Sequence, residues 1–582
     1  MNDCRPNGPL IVQSDRTLLL EVAHPDFERA RDDISRFAEL LKSPEHIHTF
    51  RVSPLSLWNA SASDIGCEEI VAALERWSKY QVPQNLVQEI RDHGTRYGRL
   101  RLVQKNGRLA LEMDDKGLFW EIEHQKDLKD FLAEPYPDER GVFIREGARG
   151  EVKLRLIRLG HPVQDLAGFK EGGPLSFGIR DAMLGNRRPF ALRGYQRAAA
   201  DVFHAGGGPE GGAGVLVLPC GAGKTVIGIG CMARLQTQTL VLTTNVTAVK
   251  QWKQELLDKT TLEEGQIGLY TGEAKEIRPV TIATYQILTY RKSKDAPFEH
   301  FKLFDAANWG LVIYDEVHTL PAPVFRAVAE LQAKRRLGLT ATLVREDGKE
   351  EDVFSLIGPK RVDVPWKALE KEGYIASACC LEIRVPLPKD ERMEYAVANR
   401  MGRFRIASEN SVKLSIVNEL LSAHKNDSVL IIGQYLKQLR ALAENLKAPI
   451  ITGQTPEKER ERLYNSFKRG EIPALIVSKV ANFAVDLPDA GVAIQVSGTF
   501  GSRQEEAQRL GRILRPKAGK NISYFYSLVS RETSEQEFAQ NRQLFLTEQG
   551  YRYYVESRHF DSSGGQLSEP TVWRRMLEEA GA

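Results

Sequence analysis

The 582-residue sequence predicts an α/β protein: two tandem parallel-sheet lobes preceded by an α+β N-terminal region. Three observations predict it. The chain is too long for one hydrophobic core, since single cores stop growing near about 250–300 residues. Short apolar runs recur in two series, separated by helical or loop segments, as in parallel sheets covered by helices on both faces. One of these runs ends in a small-residue loop followed by a helical pattern, the junction where such sheets place ligands.

The elements follow in order. Residues 1–135 form the N-terminal α+β region. Within it residues 67–80 read as a helix, with Ile70, Val71, Leu74 and Trp77 on one face, and residues 83–92 as a second. Strands at 99–104 and 108–113 are joined by Asn106-Gly107, a strong tight-hairpin signal. Helices followed by a hairpin resemble a winged helix; the same pattern suits a small scaffold or protein-docking module. Residues 136–184 read as an accessory unit of strand, strand and loop, the strands at 142–144 and 152–159.

The first lobe spans 185–365. After a Gly-rich stretch at 206–212 come apolar runs at 215–218, 239–242, 280–283, 311–314 and 337–339. The second lobe, 366–545, repeats the pattern at 429–432, 450–451, 474–477, 492–496 and 524–528. A charged helical stretch at 389–405 reads as an insertion projecting from it, and residues 546–582 as a C-terminal tail.

Composition excludes several classes. A formal charge of +3 is nearly neutral, so any nucleic-acid surface must be a local patch. Cysteines at 4, 67, 220, 231, 379 and 380 have no C-x-x-C spacing, which disfavours zinc and iron–sulfur sites. Unpaired thiols suit a reducing interior. No signal-peptide pattern or bilayer-length apolar run is present, so the expected setting is cytoplasmic, nucleoid-associated if bacterial, with no membrane partner.

Gly221-Ala222-Gly223-Lys224-Thr225 is a variant phosphate loop, Leu218 standing where the motif's first glycine usually lies. Small residues let backbone N–H groups curl round phosphates, and the following helix points its positive end at them. Lys224 would reach the β- and γ-phosphates, and Thr225 would hold Mg²⁺. Asp315-Glu316-Val317-His318 ends an apolar strand. Asp315 is placed to bind Mg²⁺, and Glu316 to orient or deprotonate the attacking water. In the second lobe, Gln508-Arg509-Leu510-Gly511-Arg512-Ile513-Leu514-Arg515 repeats arginines along one helical face. If the lobes close, Arg512 and Arg515 can serve as arginine fingers from within the same chain.

Read together, these strings at 185–545 resemble superfamily-two helicases, whose lobes are RecA-like. By that resemblance Arg193-Gly194-Tyr195-Gln196 is the adenine-reading element, with Gln196 the base contact. Thr340-Ala341-Thr342 couples hydrolysis to strand movement, alongside His318. Gln508 belongs to the catalytic helix. Ser478-Lys479-Val480 through Asp486-Leu487-Pro488 touches nucleotide and nucleic acid, with Ala484 in place of a common glycine.

Three features narrow the match to the XPB family of DNA repair helicases: the Asp-Glu-Val-His string, LTATLVRED at 339–347, and GSRQEEAQRLGRILRPK at 501–517. Arg345-Glu346-Asp347 is similar to the family's DNA-opening element. The stretch 389–405 stands in the place of its thumb insertion, and the accessory unit in that of a damage-recognition domain. The resemblance implies ATP-dependent 3′-to-5′ unwinding or translocation of single-stranded or forked DNA, with a partner nuclease or repair proteins. A double-strand translocase and an ATP-gated scaffold use the same engine. Thr244, Asn245 and Thr284 each follow a strand and open a helix, where hydroxyls, amides and backbone N–H groups suit phosphate contacts.

Overall fold

The computed structural model of the chain describes residues 7–42, 46–146, 148–167, 172–208, 211–219, 221–292, 299–304, 306–320, 335–341, 350–364, 366–478, 490–498, 521–548, 551, 553–560 and 567–581. It forms two compact units, Met1–Leu218 with Gly223–Asp363, and Val364–Ala582 with Pro219–Ala222.

The first unit opens with an antiparallel sheet ordered Leu10–Val12, Thr17–Glu21, Ile47–Arg51, Glu39–Lys42. Helices Cys67–Trp77 and Gln84–Gly94 lie where apolar spacing puts them. Ile70, Val71, Leu74 and Trp77 share one core with Leu10, Leu18 and Phe50 of that sheet. The hairpin Leu100–Lys105 to Arg108–Met113 also forms, and Asn106 and Gly107 take φ of 54° and 76°, as a two-residue primed turn requires.

That hairpin is not the wing of those helices. It lies inside a five-stranded sheet ordered Leu132–Pro135, Gly141–Ile144, Arg108–Met113, Leu100–Lys105, Val163–Asp165. Its core is separate and includes Leu102, Leu111, Phe119, Ile144 and Leu156. The winged-helix reading is therefore corrected, and a boundary at 135/136 would cut through this sheet. Residues 152–159 are likewise not a strand: Arg149–Arg158 is a helix. The apparent alternation of apolar and charged residues misleads because Lys153 is itself buried and ion-paired to Asp165, so its position faces no solvent.

The first parallel sheet has the order Ile267–Tyr270, Val280–Thr284, Thr239–Thr243, Leu311–Asp315, Arg335–Thr340, Ala213–Val217, Lys360–Asp363. Its inner strands are buried on both faces, which is why they read as continuous apolar runs. The two edge strands, at 267 and 360, are short and mixed in composition and escape the sequence pattern.

The second unit holds a seven-stranded parallel sheet ordered Ile450–Ile451, Ala474–Ser478, Val429–Gly433, Val492–Gln495, Ile522–Ser530, Ser377–Val385, Tyr553–Ser557. Residues 546–582 are not a tail: Tyr553–Ser557 is a sheet strand, and Trp573 and Met576 of helix Val572–Gly581 join the core. The charged stretch at 389–405 forms helices Lys389–Val397 and Arg400–Glu409, with Met393, Val397 and Met401 exposed. Among the described residues, no helix is long and apolar enough to cross a membrane.

Candidate functional site

Strand Ala213–Val217 leads into the loop at 218–223, and Gly223 caps helix Lys224–Leu235. Gly221 and Gly223 have φ of 83° and 78°, a region L-residues rarely adopt. A methyl group on Gly223 would also stand 2.7 Å from Gln196 Nε2. Gln196 is buried, and its Oε1 accepts from the Arg193 backbone N–H at 3.0 Å. The adenine-reading candidate is thus packed directly against the phosphate-loop candidate.

Two strands across, Leu311–Asp315 delivers the acidic pair, its partner strand Arg335–Thr340 lying between it and the loop's strand. Glu316 sits in a left-handed conformation at φ 53°, which turns its carboxylate back toward the helix start. Lys224 Nζ donates to Glu316 Oε1 at 2.8 Å. Burial pushes the Glu316 carboxyl up, but Lys224 and His318 outweigh it and hold the group below its ordinary value. Burial, then the neighbouring Glu316, push Asp315 up to about 6, against the pull of Lys224. Two adjacent carboxyls are thus driven apart, the pattern expected of an acid–base site.

Asp315 is gripped twice. Trp252 Nε1 donates to its Oδ2 at 2.9 Å, and the Tyr285 hydroxyl donates to its backbone carbonyl at 2.9 Å. His318, also buried, lies with Nδ1 2.6 Å from Thr340 Oγ1 and 3.6 Å from Glu316 Oε2. The Thr340 carbonyl accepts from the Leu218 N–H at 2.9 Å, so the acidic turn, the 335–340 strand and the phosphate loop form one connected patch. Glu316 Oε2 is buried with no hydrogen-bond partner among the described residues. Such an acceptor suits a water or hydroxyl donor.

Thr244, Asn245 and Thr284 also come together. Their strands pair in register, Thr243 opposite Thr284. Asn245 Oδ1 caps helix Val246–Lys259 by accepting from the Ala248 N–H at 2.9 Å, and Thr284 Oγ1 accepts from the Ile287 N–H at 3.3 Å. Gln286 ties the two loops by donating to the Thr244 carbonyl. A concave surface of about 380 Å³ lies here, lined by Asn245, Val246, Thr284, Gln286 and Tyr290.

Eight candidates, Thr342, Arg345, Glu346, Asp347, Asp486, Gln508, Arg512 and Arg515, lie outside the described residues. Sequence reasoning missed Trp252 and Tyr285. A tryptophan on an otherwise mixed helix reads as core, and only the fold brings it to a carboxylate 63 positions away.

A small-residue loop opening a helix, a lysine paired with a carboxylate from another strand end, and two parallel seven-stranded sheets define a two-lobed nucleotide-dependent motor protein. Family models match along the chain: "ERCC3/RAD25/XPB C-terminal helicase" at residues 369–575, "Type III restriction enzyme, res subunit" at 189–345, and "Helicase conserved C-terminal domain" at 10–135. The chain is 51% identical to "DNA 3′-5′ helicase XPB" of Mycobacterium tuberculosis, over 94% of this chain and 98% of that one. It is 50% identical to the protein of the same name from Kineococcus radiotolerans, over 94% and 96%. It is 32% identical to "General transcription and DNA repair factor IIH helicase/translocase subunit XPB" of Enterocytozoon bieneusi, over 95% and 93%. The chain belongs to the XPB family of helicases.

Proposed function

We propose that this chain is an ATP-dependent DNA helicase or translocase of DNA repair, moving 3′-to-5′. The observation that carries the reading is the Lys224–Glu316 pair beside Asp315, in a chain collinear with named DNA 3′-5′ helicases. Lys224 and the backbone N–H groups of Gly221, Ala222 and Gly223 hold the phosphates, and Gln196 reads the adenine. Glu316, kept ionised by Lys224 and His318, accepts the proton of the attacking water. Its proton affinity is low enough to stay charged near neutral pH and its position fixed enough to orient that water.

Mg²⁺ would be held by the Thr225 hydroxyl and the Asp315 carboxylate and would neutralise charge on the phosphates. These are hard oxygen donors, and Mg²⁺ bound largely through phosphate and water needs no protein cage. Arg512, Arg515 and Gln508 are proposed to stabilise the transferring phosphoryl group, and Asp486 to contact the nucleotide, on sequence alone. Thr244, Asn245 and Thr284 meet the DNA backbone; Thr342 and Arg345-Glu346-Asp347 act in coupling and strand opening.

A second reading is favoured by the word "translocase" in the Enterocytozoon bieneusi relative's name. In it the chain moves on duplex DNA, or gates a repair or transcription complex with partner proteins, without separating strands. A cytoplasmic, nucleoid-associated setting accompanies either reading. The test is ATPase activity with no nucleic acid, single-stranded DNA, duplex DNA and RNA, alongside Lys224→Ala. DNA stimulation lost in the variant is the expected result. Equal rates under all four conditions would overturn the free-standing motor.

A further inference from the structure

The two loops assigned to the DNA backbone are the starts of two segments that also hold Asp315. Asn245 caps a helix whose Trp252, two turns on, donates to Asp315 Oδ2 at 2.9 Å. Seven residues at 1.5 Å rise place that indole about 10 Å along the helix axis from the cap. Thr284 caps the next segment, whose first residue, Tyr285, donates its hydroxyl to the Asp315 carbonyl at 2.9 Å. Both aromatic side chains are enclosed, 1% and 3% exposed, so each is fixed by packing rather than free to follow Asp315. Gln286 bonds the Thr244 carbonyl, and strands Thr239–Thr243 and Val280–Thr284 are paired along their length. The two loops therefore move as one body.

We propose that Trp252 and Tyr285 are positioning residues that transmit DNA binding to the nucleotide site, by moving Asp315 when DNA engages the Asn245 and Thr284 loops. The inference rests on the motor reading above. A rigid helix transfers displacement at its cap to a side chain two turns away, and close packing makes the response a shift between discrete arrangements. Side chain and carbonyl of one residue are held by two separate segments. Displacing the joined loops shifts both contacts together and carries the Asp315 side chain and carbonyl with them.

Simple structural satisfaction of an indole N–H would give a different result. Tyr285→Phe keeps the ring and removes only the donor, whereas Trp252→Phe removes the indole N–H together with its five-membered ring, so thermal midpoints are compared alongside. The full-length chain, both variants and the double variant are assayed for ATP turnover without DNA and with saturating single-stranded DNA, and for DNA affinity. The expected result is DNA affinity within about two-fold of the parent and a stimulation ratio lowered on the order of ten-fold. The double variant should lower the ratio no further than the worse single one, because both act through one residue. Unchanged ratios in both variants, or basal and stimulated rates falling in parallel, would overturn the proposal. Absence of stimulation in the parent chain would instead remove the motor reading itself.

Discussion

Lys224 and Glu316 are 92 positions apart and meet at 2.8 Å because two parallel strands, with strand Arg335–Thr340 between them, deliver them to one edge of the sheet. Their chemistry was legible as two short strings, since a phosphate loop and an acidic strand end need contiguous residues. Trp252 was not legible, because its partner is set by tertiary packing. At this scale Glu316→Gln is expected to retain ATP binding and to lower kcat by about 10²–10⁴, the usual worth of a positioned base. Single-turnover hydrolysis against nucleotide affinity measures the split; equal losses in both would place Glu316 in binding alone.

At the scale of elements, the most informative contact joins two sheets. Asp165, at the end of the five-stranded sheet, receives Lys153 Nζ at 2.9 Å, Arg149 Nε at 3.2 Å and Arg336 Nη2 at 3.4 Å, the last from the first parallel sheet. Burial pushes its carboxyl up, but Arg149, Lys153 and Arg336 together hold it well below the ordinary value. Asp165→Asn would leave buried cations without that partner, at a cost of about 3–5 kcal/mol. Because the folded carboxyl is the stronger acid, its contribution is present above about pH 4, the ordinary range for Asp, and is lost as pH falls through the depressed value. Urea midpoints of parent and variant should differ at pH 7, and their coincidence there would refute the network's weight.

Lys153 titrates in the opposite sense to a stabilising cation. Burial draws it down to about 8, despite Asp165. Between that value and the ordinary 10.5 the unfolded chain binds more protons, so stability rises with pH across this window. Lys153→Met should lack the rise, read from thermal midpoints at about pH 7.5 and 9.5. The same buried lysine explains why helix Arg149–Arg158 passed for a strand: pattern reading takes a charged residue to mark the solvent face.

For the whole molecule, the two parallel sheets were legible because their inner strands are apolar throughout. Ser377–Val385 was not, although it is a central strand. Glu382 interrupts its apolar run, and that carboxylate is accommodated by Tyr553, whose hydroxyl donates to it at 2.8 Å, and by Arg384. The N-terminal architecture failed to show for a related reason: helices and hairpin are adjacent in sequence but serve different cores.

A DNA motor with 3′-to-5′ polarity loads on a 3′ single-stranded tail. The most direct test is strand separation of duplexes carrying a 3′ or a 5′ single-stranded tail, with ATP and with Lys224→Ala as control. ATP-dependent separation of the 3′-tailed duplex alone, lost in the variant, is the expected result. Separation of the 5′-tailed duplex alone would contradict that polarity, and separation of neither duplex while DNA still accelerates ATP turnover would exclude unwinding in favour of the translocase reading.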